Sequence, residues 1–223
     1  MFDGLIDLIN SPHWGNTLPF IRRGLALTLY ITFVGVFFGF IIGALAGFAR
    51  LSKNKIIYGV ATVYIELIRG TPILVQALFL YFAISQSFGI NFQAVTAGII
   101  AIAVNAGAYI AEIVRGGVES IDKGQKEAGR SIGLSSSQTM RYIIWPQAFK
   151  RMIPPLGNQF IISLKDTSIF AIISVGEVTF LLRQYVSSTA VTFEPYVMLS
   201  LAYLVITIPA MLILRAIERR LDV

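Results

Sequence analysis

Residues 121–155 read "IDKGQKEAGRSIGLSSSQTMRYIIWPQAFKRMIPP", a stretch from Ile121 to Pro155 rich in charge and hydroxyls between two long apolar runs. The fold turns on what this polar island does in an otherwise greasy chain. Asp122 is followed three residues later by Gln125, and Ser135 by Gln138. Each pair fits the capping box, in which cap and third-residue side chains satisfy one another's backbone donors. Two short helices are therefore predicted to begin there. Gly133 suits the left-handed turn that closes the first, and Pro146 is expected to end or kink the second. Helices this short are not stable alone in water, so each needs something to pack against. A solvated loop with helical tendency is the plain reading, and a docking surface for a soluble partner is the sharper one.

Around this island, 56% of the chain's residues are hydrophobic and 13% charged, against roughly 25% charged in an ordinary soluble domain. That composition belongs to a membrane protein. Apolar runs near the roughly twenty residues that cross a bilayer are Leu25–Phe48, Pro72–Phe88, Ala94–Val114, Leu156–Val175 and Tyr196–Leu214. The fold class predicted is all-α and integral to the membrane, with five transmembrane helices in one domain, 1–223, and the polar loop 121–151 between the third and fourth.

Basic residues follow the odd-numbered spans: Arg50, Lys53 and Lys55 after the first, the series from Arg115 to Arg151 after the third, and Arg215, Arg219 and Arg220 after the fifth. The loop after the second span is uncharged, and the one after the fourth carries Arg183 and Glu194. Positive charge in alternate loops orients the chain with its N-terminus outside and its C-terminus inside. Arg22 and Arg23 run against that pattern. The net charge of +6 thus reads as an orientation signal beside membrane lipid, not as a nucleic-acid surface. The first twenty residues lack a basic start and a small-residue cleavage site, and are expected to form a retained interfacial helix.

Several chemistries are excluded. The chain has no cysteine and one histidine, His13, which leaves thiolate metal sites, cysteine nucleophiles and histidine triads without material, so no metal site is expected. No GxxxxGK[ST] stretch occurs, so the phosphate cradle needed for ATP hydrolysis is missing and the chain is not expected to be an enzyme.

Polar residues inside the spans are the other signal, since a charge there costs at least about 2.5 kcal/mol and faces a cavity or a partner. Lys165 and Asp166 lie about ten residues into the fourth span if its helix starts at Pro154 or Pro155. Gln159, Ser163 and Asp166 share one helical face, as do Asn105, Tyr109 and Glu112 in the third span. Two such stripes are suited to face each other across a pathway. Asn105 equally fits a hydrogen bond between helices, Lys165 with Asp166 equally fits a structural pair, and Glu112 fits an ion pair with Arg115. Arg69, just before Thr71 and Pro72, fits either a helix anchor or a guard at the inner mouth. Gln76 joins the candidates as a polar residue within the second span. Gly35, Gly39, Gly43 and Gly47 recur every four residues and read as a stripe for close helix packing.

"EAGRSIGLSSSQTMRYIIWP", Glu127 to Pro146, resembles the EAA loop of the membrane subunits of bacterial ATP-binding-cassette importers. Glu127, Ala128, Gly133, Ile143 and Pro146 match that motif, while Gly129 stands for its second alanine and Trp145 for its leucine. "YIELIRGTPILVQALFLYFA", "NAGAYIAEIVRGGVESIDKGQKEAGRSIGL" and "PPLGNQFIISLKDTSIFAII" extend the resemblance to the polar amino-acid permeases, the glutamine permeases especially. The resemblance implies a bacterial inner-membrane permease subunit that pairs with a copy or a homologue. It also implies two cytoplasmic ATPases that bind ATP and Mg and grip the loop, and an extracytoplasmic binding protein that delivers a polar amino acid. Two alternatives stand beside it: an ion-coupled carrier, for which the chain is small and shows no inverted repeat, and an assembly subunit that transports nothing.

Overall fold

The architecture is that of a computed structural model, which describes residues 10–221. The part of the expected interfacial helix at residues 1–9 lies outside the described residues. His13–Asn16 form a single turn, α1, and by Leu18 the chain has already entered a long helix. That helix, α2 (Leu18–Arg50), is followed by α3 (Lys55–Arg69), α4 (Ile73–Leu78), α5 (Ser85–Phe88) and α6 (Ala94–Glu119). Then come α7 (Lys123–Ser131), α8 (Ser136–Thr139), α9 (Trp145–Asp166), α10 (Val178–Thr189) and α11 (Phe193–Leu221). Among the described residues there is no strand, as expected for the all-α class.

Among the described residues, three stretches are long and apolar enough to cross a membrane as continuous helices: His13–Arg50, Ala94–Glu119 and Phe193–Leu221. Two bent pairs qualify only when their halves are taken together. One joins Lys55–Arg69 to Ile73–Phe88 at 101°, and the other joins Ser136–Ile173 to Val178–Thr189 at 45°. The expected second span, Pro72–Phe88, falls on the second limb of a bent pair whose first limb is α3. Pro72 forces the break: its φ of −63° and ψ of 142° are extended, and the proline has no N–H to continue the ladder.

The core lies where α2 meets α6. Gly35, Gly39, Gly43 and Gly47 are buried against an alanine-rich face of α6 that includes Ala103, Ala106 and Ala111. A methyl placed on Gly43 would sit 2.6 Å from the Ile110 Cβ and 2.7 Å from the Gly107 carbonyl oxygen. Without a hydrophobic drive between helices in lipid, backbones held this close gain their attraction from van der Waals contact. The expected packing stripe is a packing stripe.

The polar island forms a hairpin. Asp122 caps α7 by accepting the Gly124 N–H at 2.6 Å, but the expected capping box does not close there, because the Gln125 amide oxygen instead accepts from Gln147 on α9 at 3.2 Å. Gly133, at φ 87°, ends α7 in a Schellman turn: its N–H reaches the Arg130 carbonyl at 3.0 Å and that of Leu134 reaches Gly129 at 3.1 Å. Ser135 and Gln138 make the full box at α8. Pro146 does not end the second helix. A π turn over Met140–Ile144 carries the chain without interruption into α9, and Pro146 is the second residue of that helix.

One further correction concerns the fourth span. Its helix starts at Trp145, not at Pro154 or Pro155, which both lie inside α9. Lys165 and Asp166 accordingly stand at the end of α9, where a 3-10 segment (Thr167–Ile173) takes over. The connection expected as a loop between the fourth and fifth spans contains α10, capped by Glu177, whose carboxylate accepts from the Thr179 N–H at 2.9 Å and the Phe180 N–H at 2.8 Å.

Candidate functional site

The break between α3 and α4 opens a cavity of about 480 Å³ lined by Arg69, Gly70, Thr71, Pro72, Ile73, Asn105, Tyr109, Gln159, Ile162 and Asp166. Its walls come from three places in the chain: the 101° bend, α6 and α9. Five expected site residues, Arg69, Asn105, Tyr109, Gln159 and Asp166, meet there. Two residues of each polar stripe, Asn105 with Tyr109 and Gln159 with Asp166, line that space.

Three other expected residues sit elsewhere. Gln76 lies behind the wall: its amide nitrogen donates to the Ile68 carbonyl at 2.8 Å and to the Thr71 carbonyl at 3.0 Å, supplying donors that the broken helix lost. Its oxygen accepts from the Asn105 amide at 3.1 Å, which fixes how Asn105 presents itself. Ser163 is buried and receives the Gln159 amide at 3.3 Å. That bond uses one of the two Gln159 N–H donors, and the carbonyl oxygen can accept from a guest. Lys165 is exposed, away from the cavity, and among the described residues no ion pair joins it to Asp166.

Glu112 binds three arginines from three helices. Arg115 donates to it at 2.9, 3.2 and 3.3 Å, and Arg50 and Arg69 each approach to 3.5 Å. Arg115 also pairs with Glu119. Arg50 is seated further by a 2.7 Å bond to Thr62, and the Arg69 guanidinium lies 5.3 Å from the Tyr109 ring centroid. Glu112 is thus an ion-pair residue, as expected, but with two partners beyond Arg115. Arg69 serves as both anchor and cavity wall.

Sequence reasoning missed Arg50 and Glu177. In the sequence Arg50 reads as a flanking charge. Its position three residues after Gly47 puts it on the packed face of α2, and that was the available signal. Glu177 is fully buried, with the Tyr203 hydroxyl donating to it at 3.1 Å, and the signal there was an acidic residue directly before an apolar helical run.

On the hairpin, Glu127, Ala128 and Gly133 are each exposed, and Pro146 is exposed as well. Ile143 is half-buried against Gly129, where a methyl would lie 2.8 Å from its Cδ1 and 2.7 Å from the Thr139 Cγ2. The glycine that departs from the motif is the contact that lets α7 lie on the π turn. Ile132 and Tyr142 are 74% and 62% exposed. Arg151 donates to the Ser120 carbonyl and binds the hairpin's base to the end of α6.

A helical membrane protein with a polar cavity at a broken helix and a capped hairpin between two spans is the class this geometry defines. Residues 35–223 match the family described as binding-protein-dependent transport system inner membrane component. The chain is 46% identical over 207 residues to the glutamine transport system permease protein GlnP of Escherichia coli (strain K12), covering 92% of this chain and 94% of that one. It is 34% identical to the arginine transport system permease protein ArtQ of Bacillus subtilis (strain 168), covering 92% and 93%. A crystal structure of an amino acid ABC transporter with histidines superposes with a TM-score of 0.88 at 42% identity, over 91% and 94% of the two chains. The MetNI methionine ABC transporter, in an inward-facing conformation, shares the fold, with a TM-score of 0.72 at 22% identity over 89% and 96%. The chain belongs to the binding-protein-dependent permease family, whose members are the non-catalytic membrane subunits of ABC transporters.

Proposed function

We propose that this permease imports a polar amino acid, glutamine foremost, through the cavity at the α3–α4 break. The carrying observation is the chemistry of that cavity: one cation, one carboxylate and two amides in a space of about 480 Å³, large enough to admit a small zwitterion. The 46% identity to a glutamine permease supports the choice of cargo. Asn105, Tyr109, Gln159, Arg69 and Asp166 line the path, Gln76 and Ser163 hold its amides, and Lys165 has no part in the wall.

Five crossings, two of them bent, put the N-terminus outside and the hairpin and C-terminus in the cytoplasm of a bacterium, across its inner membrane. The hairpin carrying Glu127, Ala128, Gly133, Ile143 and Pro146 docks one of two ATPases, which supply ATP and Mg chemistry. A second permease chain completes the path, and an extracytoplasmic binding protein delivers the cargo. Uptake of labelled glutamine into proteoliposomes is the test. The assembled complex with receptor and internal ATP should accumulate it, and this chain alone should not. Accumulation driven by an ion gradient without ATP would overturn the reading in favour of a carrier.

A further inference from the structure

The Glu112 cluster is unbalanced. Three guanidiniums share the carboxylates of Glu112 and Glu119, which leaves one positive charge in excess at the edge of the cavity. The three are not held equally. Arg115 makes close hydrogen bonds to Glu112, and Arg50 is 11% exposed and bonded to Thr62. Arg69 is 39% exposed, touches Glu112 only at 3.5 Å, and among the described residues stands as the one base lining the cavity. If Arg69 turned away, Glu112 would keep two arginines, so no buried charge would be left without a partner.

We infer that Arg69 is the ligand for the cargo's α-carboxylate, and that Glu112 is a positioning residue which competes for the same guanidinium and so sets the cavity's affinity. This rests on the cavity being the cargo site. An arginine matches a carboxylate with two parallel donors, a geometry better than the single long contact it has with Glu112. Tyr109 supports the guanidinium from its face and leaves the edges free to donate. Asp166, the acid lining the same space, complements the cargo's ammonium group. Binding would then draw Arg69 from Glu112 and slacken one tie between the end of α3 and α6. The occupied cavity would thereby be reported toward the cytoplasmic ends of the helices.

The test is equilibrium binding to the purified full complex without receptor, using L-glutamine and L-glutaminamide, which differ only in the α-carboxylate. The native complex should prefer glutamine at least tenfold. Arg69→Gln should weaken glutamine tenfold or more while leaving glutaminamide within twofold, and Arg69→Lys should fall between. Glu112→Gln, by removing the competitor, should tighten glutamine about threefold and leave glutaminamide unmoved. Equal weakening of both ligands by Arg69→Gln, or no discrimination in the native complex, overturns the inference. If Glu112→Gln does not assemble, the Arg69→Lys and Arg69→Gln series still decides it. Gln159→Leu and Asp166→Asn separate the two levels: if they weaken both ligands while Arg69 variants do nothing, only this inference fails. If neither changes binding, the cavity itself is not the cargo site.

Discussion

The α2–α6 seam and the α7–α8 hairpin both depend on glycine, for opposite physical reasons. At Gly43 the backbone is ordinary helix and the constraint is space, since a methyl would meet the Ile110 side chain and the Gly107 carbonyl within 3 Å. At Gly133 nothing lies within 4 Å, and the constraint is a φ of 87°. The seam is a closed contact between two spans, whereas the hairpin is an open turn at the surface. A substitution therefore crowds the first and twists the second. The cavity lies between these extremes, with polar walls fixed by neighbours such as Gln76 and Ser163.

The seam should be the more sensitive of the two. Gly43→Leu should cost about 3 kcal/mol, the upper end of overpacking, because a backbone carbonyl stands in the way. A sharp loss of folded complex in detergent size-exclusion chromatography is the expected result. A normal yield would show that α2 can slide on α6.

Gly133→Val should cost about 2 kcal/mol by forcing a β-branched residue toward positive φ. The hairpin should still fold against α9, and the effect should appear as substrate- and receptor-stimulated ATPase activity reduced several-fold in the assembled complex. Stimulation at the native level would remove the hairpin from coupling. Gly133→Ala, which shares the φ penalty without the branching, should lie between the native protein and valine.

A cavity wall should respond in selectivity more than in stability. Gln159→Glu places a negative charge beside Asp166, and the ratio of arginine to glutamine uptake should rise about tenfold, equivalent to about 1.4 kcal/mol. Competition assays with receptors of both specificities check this, and an unchanged ratio would leave selection to the receptor alone. The smallest effect belongs to the cap of α8. Ser135→Ala removes the acceptor of the Gln138 N–H and should cost about 1 kcal/mol, read as a small drop in the complex's melting temperature.

Legibility in the sequence tracks the range of each signal. Ser135 with Gln138, and Gly133 with the end of α7, act within one helical turn, so their side chains and dihedral limits announce them. Asp122 shows the limit of the same rule, because Gln125 had the right spacing and was taken by Gln147 from another helix. The glycine stripe was readable as a packing face, but its partner was not. Asn105 with Tyr109, and Gln159 with Asp166, were readable as stripes because helical periodicity is local. Arg50 and Glu177 escaped because each looked like an ordinary residue at a helix end until other helices closed over it.

Composition and spacings of three or four residues suffice to read a membrane-embedded all-helical chain, the hairpin with the cap of α8, the glycine face of α2 and the two polar stripes. The packing of the helices against one another sets the 101° angle between Lys55–Arg69 and Ile73–Phe88, the cavity in that bend, the place of Lys165 outside its lining and the convergence of three arginines on Glu112. A bend angle and a three-way ion pair depend on where other helices stand. Those positions follow from the summed packing of distant segments, which no local pattern encodes.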